Sequence, residues 1–235
     1  MHEPYVRLIE RLLPIMPHPS LNSFFFWNSG SEAVEAAIKM ARTFTKRQNI
    51  ICMQGVYDPP FFMFWLKLLH AKGGYHGRTF GAMAVTKSKT IYSLGVAPLM
   101  VSALSLLHLM SSHFSCQPGV FSMPYPFWHS SNLPSTTSAQ TLTANSLYQL
   151  ELLLSQQTAP SDTAAIIVEP VLGEGGYVPA PPEFLQGLRK VCDKHGMMLI
   201  VDEVQSGFGR TGSYFAIEES GVKPDILVMA KVGFS

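Results

Sequence analysis

Within residues 31–46 the apolar side chains Val34, Ala37, Ile38 and Ala41 recur three and four positions apart. That spacing collects them on one side of a helix. Asn28, Ser29 and Gly30 precede the run as turn and cap, so a helix is predicted over 31–46. Residues 140–157 carry a second helical pattern. Residues 182–195 carry a third, opened by Pro181-Pro182-Glu183 and stopped by Gly196. Elsewhere the pattern loses its helical period. Residues 49–53 (NIICM), 164–169 (AAIIVE), 197–202 (MMLIVD) and 225–229 (DILVM) are short, almost continuous apolar runs of strand length. Strands that do not alternate polar with apolar are buried on both faces. Such strands interleaved with helices predict an α/β architecture, a mostly parallel sheet covered by helices on both sides.

Composition supports a packed core: 47% of the 235 residues are apolar and 14% charged. The formal net charge of +1 gives no electrostatic case for nucleic acid or an anionic membrane as partner. Three cysteines, Cys52, Cys116 and Cys192, are odd in number and irregular in spacing, which argues against a disulfide framework and for a reducing compartment. They show no metal-ligand spacing, and no metal site is expected. The first 20 residues place Glu3, Arg7, Glu10 and Arg11 inside an apolar helical pattern, unlike a secretory leader. The apolar stretches 59–69 and 101–116 are shorter than the roughly 20 residues a membrane span needs.

Ligands of parallel α/β sheets bind beyond the carboxyl ends of the strands, so the residues just after each apolar run carry the chemistry. After MMLIV come Asp202, Glu203, Val204 and Gln205. After DILVMA comes Lys231, a lone cation, and after AAIIV comes Glu169, followed by the glycine-rich Gly173-Glu174-Gly175-Gly176. Asn28-Ser29-Gly30-Ser31 opens a helix and offers backbone N–H groups to an anion. Each piece alone is commonplace: a cap, a loop acid, a solvated lysine. Together they are the parts that pyridoxal 5'-phosphate chemistry needs. A lysine amine forms a Schiff base with the aldehyde. A carboxylate keeps the pyridine nitrogen protonated, so the ring accepts electrons, and a helix N-terminus takes the phosphate.

Five ordered blocks carry a resemblance to a known family: SGSEAVEAAIKMAR (29–42), GYHGRT (74–79), IIVEPVLGEGG (166–176), MMLIVDEVQSGFGRTG (197–212) and PDILVMAK (224–231). They resemble the class III, fold-type I aminotransferases, which include 4-aminobutyrate, ornithine and acetylornithine aminotransferases. The resemblance implies that Gly30 and Ser31 bind phosphate, that Tyr75 stacks on the cofactor ring beside His76, and that Asp202 pairs with the pyridine nitrogen. It implies that Val204 packs on the opposite ring face, that Gln205 bonds the phenolic oxygen, and that Lys231 is the Schiff-base and catalytic lysine. Arg78 resembles the arginine that grips the distal carboxylate of an ω-amino acid, a task for which a bidentate guanidinium is suited. Glu174 is similar to the glutamate that pairs with a gating arginine, and Glu169 lines the site.

The expected reaction moves an amino group from an ω-amino acid to a 2-oxo acid, with a lean toward the 4-aminobutyrate branch. Another class III reaction, an aminomutase or a decarboxylating transamination, is the alternative, as is an inactive fragment. A homodimer is implied for the intact protein, in the cytoplasm or alternatively the mitochondrial matrix. Family members are roughly twice this length. Residues 1–231 are therefore expected to form part of the cofactor-binding large domain, without the C-terminal small domain, and the chain as written is expected to be poorly soluble and inactive. Two stretches of 17 residues, 56–72 and 101–117, lack family counterparts, and removing either rejoins family-like text. Both begin with valine, as does the tail 232–235, and they end in lysine and glutamine. Valine codons start with GT, and AAG and CAG end in AG, the dinucleotides that bound introns. All three are expected to be translated introns; genuine surface insertions are the alternative.

Overall fold

The computed structural model describes residues 2–54, 73–88, 119–131 and 133–231. The stretches 56–72, 101–117 and 232–235, expected to be foreign to the family, lie outside these residues. The described chain runs through α1 (Glu3–Leu12), α2 (Gly30–Thr45), β1 (Asn49–Gln54), α3 (Phe80–Val85), β2 (Val120–Pro124), α4 (Ala139–Gln156) and β3 (Thr163–Val168). It continues through β4 (Val171–Leu172), β5 (Val178–Pro179), α5 (Pro182–His195), β6 (Met198–Asp202) and β7 (Ile226–Val228). Five strands form one sheet in the order β2-β1-β3-β6-β7, and β4 and β5 make a small hairpin. Every pairing in the large sheet is parallel, as the continuous apolar runs required.

Alternate residues of each strand divide between two cores. Ile51, Met53, Ile166, Val168, Leu199 and Val201 pack with Leu150, Leu153 and Leu154 of α4 and Phe184 and Leu188 of α5. Ile50, Cys52, Ala165, Ile167 and Ile200 pack on the other side against Val34, Ala37, Ile38 and Ala41 of α2 and Ala82 and Val85 of α3. A fully buried strand thus serves both layers with its two faces, which is why no polar residue interrupts it. Among the described residues, no helix is long and apolar enough to cross a membrane.

Local chemistry sets the element ends. The Ser29 hydroxyl accepts from the Glu32 amide at 3.3 Å, the bond of a serine N-cap, and the Glu32 carboxylate reaches back to accept the Asn28 amide at 3.1 Å. Helix α2 therefore starts at Gly30, one residue earlier than the apolar pattern suggested. Helix α5 ends at Gly196, whose φ of +63° a residue with a side chain adopts only at a cost. The Met197 amide still donates to the Cys192 carbonyl, so strand β6 begins at Met198 rather than 197. Asp225 is no strand residue: its carboxylate takes the Leu199 amide at 2.7 Å and Arg189 at 2.6 Å, tying the start of β7 to its neighbours.

Four elements went unpredicted. Strand β2 lies at the sheet edge, only Met123 of its five residues is buried, and Ser122 and Pro124 break its apolar run. Helix α3 has six residues, too few to show a period. The β4–β5 hairpin pairs two residues with two.

Candidate functional site

The chain leaves β1 for β2 on one side of the sheet and returns to β3 on the other. The strand order reverses there, and ligands of parallel α/β sheets bind at such a point, beyond the carboxyl edge of the sheet. The loop after β1, Glu169 after β3, Asp202 at the end of β6 and Lys231 beyond β7 all meet at that edge.

Glu169 is buried and accepts two backbone amides, Tyr75 at 3.1 Å on one oxygen and Gly173 at 3.1 Å on the other. It ties the segment carrying Tyr75 and His76 to the glycine-rich hairpin. Beneath the hairpin the buried Tyr125 hydroxyl donates to the Val178 carbonyl at 3.1 Å. His76 is positioned by its amide, which donates to Thr86 Oγ1 at 3.0 Å. Its Nδ1 lies 2.7 Å from Asp202 Oδ2. A carboxylate only accepts, so Nδ1 carries the proton. The other Asp202 oxygen accepts the Val204 amide at 3.0 Å. Burial lowers the His76 pKa, but the hydrogen bond and charge of Asp202, with Glu169 behind, more than offset it and hold the imidazole above its usual value.

Helix α2 is brought up to this edge by close packing. A β-carbon on Gly30 would stand 3.0 Å from Val204 and 3.4 Å from Ala230, so a side chain there would have to push Val204 aside by a few tenths of an ångström, and glycine lets the helix start approach the ends of β6 and β7 without that shift. The first backbone bond of α2 runs from Ala33 to the Ser29 carbonyl, which leaves the Gly30 and Ser31 amides ahead of the helical ladder. The Ser31 hydroxyl accepts the Arg78 amide at 3.3 Å, and Gly77, at φ +119°, passes directly over Ser31. Glu35 holds the segment from below, accepting Thr79 Oγ1 at 2.6 Å and the Gly81 and Ala82 amides.

Lys231 follows Ala230, the residue that packs against the start of α2. Its Nζ donates to Gln205 Oε1 at 2.5 Å, and Gln205 in turn packs against Gly173, where a β-carbon would fall 2.8 Å from its side chain. Gly30, Ser31, Tyr75, His76, Glu169, Asp202, Val204, Gln205 and Lys231 therefore form one connected set. Arg78 and Glu174 are exposed, the first above the start of α2 and the second on the hairpin. Glu203 stands outside that set: its buried carboxylate takes the Ile217 amide at 2.8 Å and the Ser206 hydroxyl, anchoring the short helix Ala216–Ser220.

Sequence reading missed Thr86, Glu35 and Arg210, whose bonds are made across loops, and the direct pairing of His76 with Asp202. Arg210 stood within a quoted block, but nothing in the block states what it touches. Among the described residues no cluster of His, Cys, Asp and Glu could hold a metal ion.

Burial above all, with the Asp202 charge adding and His76 opposing, raises the Glu169 pKa from 4.5 to about 7. The folded chain therefore binds a proton that the unfolded chain releases between these values. Stability is highest below pH 4.5 for this group and falls as pH rises to about 7, by about 3 kcal/mol for the full shift. Glu169→Gln is expected to flatten the pH dependence of the thermal midpoint across that window. An unchanged profile in the variant would refute the assignment.

The fold agrees with comparisons to known proteins. The family model for class III aminotransferases matches residues 1–233. The chain is 36% identical over 230 residues to a 5-aminovalerate aminotransferase of Pseudomonas putida and, over the same length, 36% identical to the 4-aminobutyrate aminotransferase of Escherichia coli. Each alignment covers 98% of this chain and 44% of the relative. Taurine:2-oxoglutarate aminotransferase from Bifidobacterium kashiwanohense, solved with pyridoxal phosphate and glutamate, superposes with a TM-score of 0.75 at 29% identity, over 98% of this chain and 44% of its own. This chain belongs to the class III aminotransferases. It spans about 44% of the length of the curated relatives it matches.

Proposed function

We propose that the protein is a pyridoxal-phosphate-dependent transaminase that moves an amino group from an ω-amino acid to a 2-oxo acid. The observation that carries this reading is the convergence of Asp202 and Lys231 on adjacent strand ends, with the Lys231 amine held by Gln205 at 2.5 Å. Equal identity to 5-aminovalerate and 4-aminobutyrate aminotransferases supports an ω-amino acid as donor without choosing its length.

The residues fit the cofactor. The Gly30 and Ser31 amides, set before the helical ladder, would hold a phosphate with the help of the helix dipole. Asp202, its charge supported by His76, would hold the protonated ring nitrogen. Tyr75 and Val204 would bracket the ring, and Gln205 would bond its hydroxyl. When bound, pyridoxal phosphate supplies an electron sink for the carbon that loses its proton. Lys231 Nζ would hold the cofactor covalently and, once displaced by the substrate amine, move the proton that leaves that carbon. Arg78 would grip a distal carboxylate, and Glu169 and Glu174 would line the substrate side.

We further propose that residues 1–231 are part of a cofactor-binding large domain and that the assembled protein is a homodimer, for which exposed Phe25, Trp27 and Phe80 supply apolar surface. Adding pyridoxal phosphate to the chain is expected to produce visible absorbance and a borohydride-stable adduct at Lys231. Screening amine donors against 2-oxo acids then separates transamination from aminomutase or decarboxylating chemistry. Absence of both the absorbance and the adduct would overturn the reading.

A further inference from the structure

Lys231 has an unusual backbone. Its φ is +55°, in the left-handed region that residues with side chains avoid. Holding a non-glycine residue there costs of order 1–3 kcal/mol and requires that its surroundings over-determine the conformation. Those surroundings come from one loop, the segment that leaves β6 after Asp202. Gln205 from this loop accepts the Lys231 amine, and Arg210 from the same loop donates through Nη2 to the Lys231 carbonyl at 2.5 Å. The second Arg210 nitrogen donates to the Gly207 carbonyl at 3.1 Å, so the guanidinium is braced on its own loop while it reaches across. The loop is shaped for this by Phe208 and Gly209, at φ +57° and +85°, and by the Gly209 amide, which donates to the Tyr214 carbonyl at 3.3 Å.

We infer that Arg210 is a positioning residue: it clamps the Lys231 backbone in its left-handed turn and so fixes the direction in which the amine would be presented to a bound cofactor. This rests on the proposed role of Lys231 and extends it. Fixed at the carbonyl by Arg210 and at the amine by Gln205, the lysine has its two ends held by the loop that follows Asp202. Among the described residues Arg210 is the side chain that donates to this carbonyl, and without it the turn can relax toward ordinary extended backbone. Arg210 is itself exposed, so removing it leaves the two hydrophobic cores untouched.

The test is site-specific trapping in the full 235-residue chain. The chain is incubated with pyridoxal phosphate and borohydride, and the adduct is quantified by peptide mass spectrometry at Lys231 relative to the exposed Lys190. Arg210→Ala is expected to lower the Lys231-to-Lys190 ratio by about tenfold, as for a reacting group displaced by a fraction of an ångström to an ångström. Its thermal midpoint stays unchanged. Arg210→Lys, which can reach one carbonyl at a time, is expected to lose less than Arg210→Ala. A ratio in Arg210→Ala within about twofold of the parent chain overturns the clamp. So does an equal fall at Lys190, which reports general loosening. If Arg210→Ala does not fold, Arg210→Lys decides by the same criteria. A parent chain with no preference for Lys231 over Lys190 would instead overturn the role of Lys231 itself, a result distinct from failure of the clamp.

Discussion

Replacing Lys231 by alanine is expected to abolish covalent retention of pyridoxal phosphate. The visible absorbance produced by adding the cofactor disappears, and no borohydride-stable adduct survives at the peptide ending PDILVMA. Where the assembled protein turns over an ω-amino acid, the rate is expected to fall by about 10⁴-fold, the upper end of what a positioned proton-transfer group contributes. Among the described residues, Lys231 is the amine that donates to Gln205 at the carboxyl edge of the sheet, and alanine offers neither a nucleophile nor a proton carrier. The two losses are one effect seen twice, since the same nitrogen would hold the cofactor and move the proton. A Lys231→Ala chain that still shows the lysine-adduct absorbance would place the covalent site elsewhere.

The second large effect falls on stability. The side chains of His76 and Asp202 are 0% and 3% exposed, so this pair has almost no access to water. Asp202→Ala leaves a buried imidazole whose raised pKa depended on the lost carboxylate, and it strips the Val204 amide of its acceptor. Breaking a buried pair by removing one partner costs about 3–5 kcal/mol. For a chain of this size that is a fall of about 10 °C in thermal midpoint. Restoring an apolar partner separates the charge from the packing: Asp202→Ala combined with His76→Phe is expected to recover part of the loss. If Asp202→Ala unfolds within about 1 kcal/mol of the parent, the two side chains do not form a buried ion pair.

The pH behaviour of the pair is coupled to Glu169. A histidine whose folded pKa is raised contributes stability that is present below its unfolded value and lost as pH rises through the folded one. Glu169 acts in the same direction, because its folded pKa of about 7 also lies above the unfolded value. Both groups make the described fold less stable as pH rises toward neutrality and beyond.

Much of the sheet is legible in the amino-acid sequence. Four of its five strands are apolar runs flanked by helices of regular period, and a run such as AAIIV has few alternatives to a doubly covered strand. The fifth, β2, is not legible, because Ser122 and Pro124 interrupt its apolar run. Boundaries moved by a residue where a hydrogen bond outranked the hydrophobic pattern, at Ser29, Met197 and Asp225. Asp202, Gln205 and Lys231 are legible as strand-end residues because parallel sheets expose one end of every strand. Arg210, Thr86 and Glu35 are not, because a guanidinium, a hydroxyl or a carboxylate reaching another loop leaves no periodic trace.

By itself the sequence determined the α/β class, the set of strand-end residues and the family wording around them, since these depend on local pattern and chain order. Only the tertiary structure decided who meets whom: His76 with Asp202, Glu169 with both Tyr75 and Gly173, and Arg210 with the backbone of Lys231. The longest of these contacts join residues 21 to 126 positions apart. Local propensity acts over a few residues, so partners at such separations are chosen by the way the parallel sheet brings its strand ends together.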